Sequence, residues 1–204
     1  MNKIFAFEGH NGVGKSSVAK QVAINIKAKY LYGVDEEILI SGLKEKFIKK
    51  ASWYSSALFF LSGSMETKRK IDNEYKENVF ILDRSFWSTL AVHWDRSESD
   101  KKQLESIVNY GKQFLPIPNI IFILTADYEE CSKRINMKKN YSEKDLDSVV
   151  DKAYYLKEKY FYNWLLKKNN EDTKIIQIDT TTKSEEDVIN ICTYYIEKYI
   201  KENN

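Results

Sequence analysis

Very little in this sequence marks a secreted, membrane-spanning or disulfide-bonded protein. Its 204 residues include two cysteines, two prolines and seven glycines. Cys131 and Cys192 are far apart and have no metal-binding spacing, and each lies in a helical pattern where we expect a small buried residue. No apolar run approaches the roughly 20 residues of a membrane span, and the first residues enter a strand pattern without a signal peptide. We expect a cytoplasmic protein that does not bind membranes.

An excess of charge of one sign is also lacking. Lysine and arginine number 32 and aspartate and glutamate 30, which gives a formal net charge of +2. Nucleic-acid-binding domains usually carry a basic excess, so we do not expect a nucleic-acid partner. Hydrophobic residues make up 43% of the chain, which is enough for a core. The length and the absence of a low-complexity linker predict a single domain over residues 1–204.

The most informative feature that is present is a glycine-rich loop near the start of the chain. It follows the apolar run Ile4–Phe7 and reads Gly9, His10, Asn11, Gly12, Val13, Gly14, Lys15, Ser16 and Ser17. This is a complete Walker A pattern, in which loop amides and the lysine hold phosphates and the serine hydroxyl binds Mg²⁺. The N-terminus of the following helix adds positive potential. We therefore predict that the chain binds a nucleoside triphosphate.

A second signal for a phosphate site is the segment Val79–Asp83, an apolar strand pattern that ends in a carboxylate. In a P-loop protein such an acid holds Mg²⁺ directly or through water. Arg84 follows and is permanently charged, which suits it to clamping a phosphate. The alternative is that Asp83 and Arg84 pair only with each other or with surface charges.

Apolar runs alternate with helical patterns along the chain. The predicted strands are Lys3–Glu8, Asn78–Asp83, Asn119–Thr125, Lys174–Ile178 and, more weakly, Lys29–Gly33. This alternation predicts an α/β fold, a three-layer doubly wound parallel sheet of the P-loop kinase type with helices on both faces. Ligands of such sheets bind beyond the carboxyl ends of the strands, where residues 9–17 and Asp83 are both expected.

A polar and basic segment follows the predicted helix Asp127–Met137. Because it comes soon after a strand that ends near the phosphates, we interpret residues 136–145 as a short cationic lid. A solvated connection is the alternative. The next helix is predicted to bury an apolar stripe formed by Leu146, Val149, Val150, Ala153, Tyr160 and Trp164.

Missing motifs narrow the class of P-loop protein. GTPases usually carry Asp-x-x-Gly and Asn-Lys-x-Asp, and neither pattern occurs here. No glycine-rich signature of a transporter ATPase is present, and the chain is short for a motor or helicase. A small kinase is the economical interpretation.

Along most of its length the chain resembles the thymidylate kinase family. Residues 7–17 resemble that family's Phe-Glu-Gly-x-(Asp/Glu)-Gly-x-Gly-Lys-(Ser/Thr)-(Ser/Thr), and residues 83–91 resemble Asp-Arg-Tyr-x-x-Ser-Ser-x-Ala. Weaker matches in the family's order are Ala57–Ser64, Leu115–Asn119, Cys131–Ile135, Ile178–Asp179 and Ser184–Val188. The resemblance implies transfer of a phosphoryl group from ATP to a nucleoside monophosphate such as dTMP, and it implies a homodimer.

The same resemblance implies roles for individual residues. Residues 9–17 and Arg134 would bind ATP, and Ser16 and Asp83 would hold Mg²⁺. The implied catalytic cations are Lys15, Arg84, Arg134 and Lys138. The implied acceptor site consists of Glu8, Asn11, Phe60, Ser64, Arg84 and His93. Arg84 would grip the acceptor phosphate and Phe60 would stack on the base.

Three departures from the family's pattern leave the acceptor open. The position of the arginine that helps the family recognise thymine is occupied here by Ser64. The family's Arg-Glu-Pro-Gly-Gly segment is replaced by residues 32–37, and the acidic residue of its phosphate loop is replaced by Asn11. With Glu36 or Glu37 as base, the chain would instead be a deoxynucleoside kinase. A catalytically weak nucleotide-binding regulatory module is a further alternative.

The two histidines carry separate expectations. His10 occupies a position that the motif leaves free, and we expect its side chain to be exposed and without a catalytic role. His93 lies in the helix after Arg84, where substrate contact and an ordinary helix position are both open interpretations.

Overall fold

A parallel β-sheet lies at the centre of the computed structural model, which describes residues 2–40, 42, 48–137, 152–168 and 173–203. Within those residues the strands are β1 (Lys3–Gly9), β2 (Lys29–Tyr32), β3 (Val79–Asp83), β4 (Ile120–Thr125) and β5 (Lys174–Asp179). All pairings are parallel, and the strand order is β2-β3-β1-β4-β5. Each predicted strand is confirmed to within one residue at either end.

Helices connect the strands and cover both faces of the sheet. Those in the described part of the chain are α1 (Lys15–Asn25), α2 (Glu36–Ile40), α3 (Trp53–Asn73), α4 (Phe86–Val92), α5 (Glu98–Gly111), α6 (Tyr128–Asn136), α7 (Lys152–Lys167) and α8 (Glu185–Glu202), with short 3₁₀ helices at Ile48–Lys50 and Lys112–Phe114. Serine side chains cap several of these helices by accepting a hydrogen bond from a first-turn amide, and Ser184 forms a full capping box with Asp187. No helix in the described ranges is both long and apolar enough to cross a bilayer.

The core consists of two apolar layers, one on each face of the sheet. Alternate residues of β1 point to opposite faces, so Phe5 and Phe7 pack in one layer while Ile4 and Ala6 pack in the other. The first layer is completed by α1 and α8, and the second by α3, α4, α5 and α7. The doubly wound α/β fold predicted from the sequence is confirmed.

The carboxyl ends of the strands meet along one edge of the sheet. In the ladder, Phe7 is level with Asp83, Gly9 with Leu124, and Thr125 with Asp179. The loops that follow β1, β3 and β4 therefore emerge side by side. This places the glycine-rich loop beside Asp83, as the strand assignment predicted.

The buried face of α7 differs from the predicted stripe. The described part of the helix begins at Lys152, and Leu146, Val149 and Val150 of the predicted stripe lie outside the described residues. Residues 138–145 of the predicted lid also lie outside them. Tyr160, expected in the stripe, is 72% exposed. The face that packs on the sheet consists of Tyr155, Glu158, Phe161, Tyr162 and Leu165. Trp164 packs partly buried against the core as predicted, but the prediction was wrong for Tyr160 and for Ala153, which is also exposed. It excluded a carboxylate and tyrosines that have buried partners.

Gly33 follows β2 where the chain passes against the backbone of Arg84. A Cβ at Gly33 would lie 2.4 Å from the carbonyl oxygen of Arg84 and 2.6 Å from its carbonyl carbon. We expect Gly33→Ala to lower the free energy of unfolding by about 2 kcal/mol, because backbone atoms must shift. The control is Gly111→Ala, whose Cβ would meet the flexible end of Met65 at 3.0 Å. Equal urea denaturation midpoints for the two variants would contradict this prediction.

Candidate active site

The glycine-rich loop turns through backbone conformations that favour glycine. Gly9, Gly12 and Gly14 have φ values of 133°, 87° and 89°. A Cβ at Gly12 would lie 2.6 Å from the carbonyl oxygen of Cys131 in α6. The loop thus packs directly against the backbone of α6, and no side chain fits at position 12 in this arrangement.

Lys15 is enclosed at the base of this loop. It is 6% exposed, and its Nζ donates a hydrogen bond to the carbonyl oxygen of His10. Burial, together with the charge of Arg84, lowers the pKa of Lys15 to about 7, although the charges of Glu158, Asp83 and Glu8 act in the opposite direction. A bound phosphate would favour the protonated form. Lys15 is therefore suited to binding an anion, because the negative charge of the anion would stabilise the protonated ammonium group.

The first turn of α1 faces the same loop. Gly14 precedes the helix and provides no side-chain cap, and Ser16 and Ser17 are exposed. First-turn amides without a side-chain cap and a positive helix end favour an anion here.

Asp83 and Ser16 supply oxygen atoms that suit Mg²⁺. Asp83 is 5% exposed, and its Oδ2 accepts a hydrogen bond of 2.8 Å from the hydroxyl of Tyr30. Burial and the Asp83 charge raise the pKa of Tyr30 well above its ordinary value, so this hydroxyl stays a donor. In the described ranges, no group of three His, Cys, Asp or Glu side chains could hold a metal. Mg²⁺ binding by Ser16 and Asp83 stays a prediction.

Arg84 lies beside the glycine-rich loop in a left-handed backbone conformation, with φ of 71°. Its guanidinium donates to Asn11 Oδ1 at 2.8 Å and to Ser88 Oγ at 3.3 Å. A positive φ is costly for a residue other than glycine and often occurs at functional sites. The structure thus places the charged fork of Arg84 against the loop, and its role as a phosphate clamp stays a prediction.

Glu8 does not face a substrate, contrary to its predicted place in the acceptor site. It is 0% exposed and accepts four hydrogen bonds. Its Oε1 accepts from the backbone amide and hydroxyl of Ser85, both at 2.7 Å, and its Oε2 accepts from Ser88 Oγ at 2.6 Å and Tyr162 Oη at 3.0 Å. Glu8 is therefore an internal anchor. Burial, with the charges of Glu8 and Glu158, raises the pKa of Tyr162 well above its ordinary value and keeps its hydroxyl protonated.

Arg134 is fixed at the end of α6. Its Nε donates to Glu130 at 2.9 Å, and its terminal nitrogens donate to the hydroxyl and carbonyl oxygens of Thr180 at 3.0 and 2.7 Å. Thr180 follows β5, and its hydroxyl reaches the carbonyl of Val13 at 3.4 Å. Arg134 therefore reaches the phosphate loop through Thr180, and ATP binding by Arg134 stays a prediction. Lys138 lies outside the described residues.

The remaining acceptor-site residues, Phe60 and Ser64 in α3 and His93 just after α4, differ in accessibility. Ser64 is 0% exposed, and its hydroxyl donates to the carbonyl of Phe60 at 3.2 Å, so the predicted contact with an acceptor is wrong in this arrangement. Phe60 is half-buried and keeps surface for a ligand. His93 is 6% exposed and lies 6.0 Å from the ring of Trp53. Substrate contact by Phe60 and His93 stays a prediction.

His10 is buried rather than exposed, which corrects the expectation from the sequence. It is 2% exposed and packs against Tyr155, Glu158 and Tyr162 of α7. Sequence reasoning also missed Glu158 and Tyr162 as parts of the site. The available signal was a carboxylate at Glu158 within a run of aromatic residues at helical spacing.

This arrangement brings together the glycine-rich loop, the buried Lys15, the carboxylate of Asp83 and the hydrogen-bonded guanidinium of Arg84. Each part suits phosphoryl transfer, which depends on positioning and on charge stabilisation. The fold and the site together define a P-loop nucleotide kinase.

Comparison with known proteins identifies the family. The family model for thymidylate kinase matches residues 7–190, so the chain belongs to the thymidylate kinase family. A probable thymidylate kinase of Methanocaldococcus jannaschii is 29% identical over 198 residues, covering 96% of both chains. One of Sulfurisphaera tokodaii is 32% identical over 167 residues, covering 78% of this chain and 85% of that protein. The chain is accordingly a phosphotransferase of the nucleotide kinase class.

Solved structures support the fold. The thymidylate kinase of Candida albicans superposes with a TM-score of 0.68 at 21% identity, covering 99% of this chain and 92% of that one. Deoxyadenosine kinase from M. mycoides with bound dATP gives a TM-score of 0.71 at 15% identity, covering 95% and 99%. At these identities the likeness shows the shared fold alone.

The anchoring role of Glu8 predicts a large stability effect. Glu8→Gln replaces one carboxylate oxygen with an NH2 group, which donates hydrogen bonds but cannot accept them, so one of the two pairs of donors loses its acceptor. We expect the free energy of unfolding in urea to fall by about 3 kcal/mol. The matched control is Glu66→Gln, which breaks an exposed pair with Arg69 and should change stability little. Equal stability of the two variants would rule out the anchoring role.

Proposed function

We propose that the protein transfers the terminal phosphoryl group of ATP, with Mg²⁺, to a nucleoside monophosphate, and that this acceptor is dTMP. The observation that carries the proposal is the position of Arg84. Its guanidinium lies against Asn11 of the phosphate loop at 2.8 Å. A fixed cation next to a donor loop is what an acceptor with its own phosphate requires.

In this proposal each residue acts by binding, orienting or neutralising. Residues 9–17 surround the donor phosphates, and Lys15 supplies a positive charge where negative charge spreads in the transition state. Ser16 and Asp83 would hold Mg²⁺, which neutralises phosphate charge when it is bound. Arg84 binds the acceptor phosphate, and Arg134 and Lys138 add positive charge around the donor.

A phosphorylated acceptor suits the structure better than a nucleoside. A nucleoside kinase needs a carboxylate base near the acceptor hydroxyl, for which Glu36 and Glu37 were the candidates. Glu37 is 3.0 Å from Lys70 Nζ, at the outer edge of the sheet beside β2, and Asp35 is 2.9 Å from the same nitrogen. The ion pair with Lys70 thus holds Glu37 at this edge, and Glu36 is exposed to solvent. The deoxynucleoside kinase and the regulatory module are kept as alternatives for the test below.

The choice of dTMP follows the relatives, which are named probable thymidylate kinases. The acceptor base would lie against Phe60, with His93 nearby, because Phe60 is only half-buried and its aromatic ring suits stacking on a base. Because Ser64 is buried and offers no donor, the base must be read by other groups. We further propose a homodimer, a single domain, a lid over residues 136–145 and a cytoplasmic location, which suits two unpaired, buried thiols.

The direct test is Mg²⁺-dependent turnover of ATP across the nucleoside monophosphates and nucleosides. We expect dTMP to give the highest kcat/KM. Lys15→Ala should lower kcat on the order of 100-fold or more, as removal of a key electrostatic donor does. Turnover with nucleosides alone would identify the nucleoside kinase alternative. ATP binding without turnover on any acceptor would favour the regulatory module.

A second test separates the acceptor clamp from the donor site. Arg84→Ala should lower kcat/KM for the acceptor on the order of 100-fold while leaving ATP affinity, measured by calorimetry without acceptor, little changed. Arg69→Ala, at an exposed arginine of α3, is the control. Circular dichroism verifies that both variants fold. Unchanged acceptor kinetics in Arg84→Ala would remove the clamp from the mechanism.

A further inference from the structure

The side chain of His10 leaves the phosphate loop and is enclosed by α7. Its ring centroid lies 4.6 Å from that of Tyr155 and 5.7 Å from that of Tyr162. Its Nδ1 lies 3.6 Å from Glu158 Oε2. Tyr155, Glu158 and Tyr162 are three and four residues apart, so they share one face of the helix. Two aromatic rings and one carboxylate therefore hold this imidazole.

The backbone of the same residue contacts the catalytic lysine. The carbonyl oxygen of His10 accepts the hydrogen bond from Lys15 Nζ. One residue thus meets α7 through its ring and Lys15 through its carbonyl. Because packing fixes the ring, the position of this carbonyl depends on α7, and so does the position of the lysine ammonium group.

Glu158 has no part in the transfer reaction described above, yet its side chain is 1% exposed. A buried carboxylate is costly unless nearby groups stabilise its charge. The charge of Glu158 raises the pKa of Lys15, which opposes the larger lowering by burial. Glu158 therefore favours the charged lysine, which is the form that binds phosphate.

A second contact ties α7 to the start of the loop. The hydroxyl of Tyr162 donates to Oε2 of Glu8, which lies two residues before His10. The helix therefore contacts the chain on the strand side of the loop through Tyr162 and inside the loop through the His10 ring. A rigid attachment at both points limits how the first turn of the loop can move.

We propose that His10 is a positioning residue and that its contact with Glu158 holds the first turn of the phosphate loop so that Lys15 is aligned for ATP. This inference rests on the proposed function, since it assigns the partner of an ATP-binding loop. It makes ATP affinity depend on α7, a helix that contributes no residue to the proposed donor site.

The test measures ATP affinity with Mg²⁺ by calorimetry on the full chain without any acceptor. His10→Phe keeps an aromatic ring and loses Nδ1, and Glu158→Gln keeps the shape and loses the charge. We expect each variant to weaken ATP binding roughly five- to tenfold. The double variant should bind ATP no more weakly than the weaker of the two single variants, because both substitutions break the same contact. Tyr160→Ala, on the exposed face of α7, should bind ATP as the wild type does.

A further variant separates positioning from packing. Glu158→Asp shortens the side chain but keeps its charge, so it should bind ATP more tightly than Glu158→Gln, whereas a packing role predicts the reverse. Urea denaturation of each variant establishes that the folded protein is measured. Wild-type affinity in the single variants, fully additive losses, or no advantage of Glu158→Asp would overturn the proposal. A wild-type protein that binds no ATP would instead contradict the proposed function.

Discussion

The site depends on one buried carboxylate, that of Glu8 at the end of the central strand. It is fully buried, and four donors stabilise its charge. Two of them belong to Ser85, so the turn after β3 is held against β1, and Arg84 is fixed just before it in its left-handed conformation. A third, from Tyr162, attaches α7 to the same point. Glu8 is thus the one side chain in the described residues that links the phosphate loop, the turn that carries Arg84, and α7.

The charges around this anchor form a preorganised set. Lys15, Arg84, Glu8, Asp83 and Glu158 are brought together at the carboxyl edge of the sheet, where the three carboxylates act to raise the pKa values of Lys15 and Arg84. Burial lowers the pKa of Lys15 to about 7, so the protein alone does not fully stabilise the charge of that lysine. A phosphate would complete the balance. Such a site costs little reorganisation during the reaction, because its dipoles and charges are already in place.

The sequence predicted what depends on local chemistry. The strands follow from apolar runs, and the phosphate loop follows from residue types at fixed spacing. The same reasoning was wrong where burial depends on distant partners. His10 is buried because α7, far along the chain, supplies two rings and a carboxylate. The motif suggested Glu8 as a substrate ligand, and only the fold shows that its four donors come from the turn after β3, from α4 and from α7. No single-sequence pattern encodes such contacts across the sheet.

The central claim is that Arg84 binds the acceptor phosphate while Glu8 stays internal. A crystal structure of the protein with Mg²⁺, a non-hydrolysable ATP analogue and dTMP tests it most directly. The account predicts a phosphate oxygen of dTMP within hydrogen-bond distance of the Arg84 guanidinium, with the four donors of Glu8 unchanged. A phosphate bound away from Arg84, or an acceptor in contact with Glu8, would contradict it.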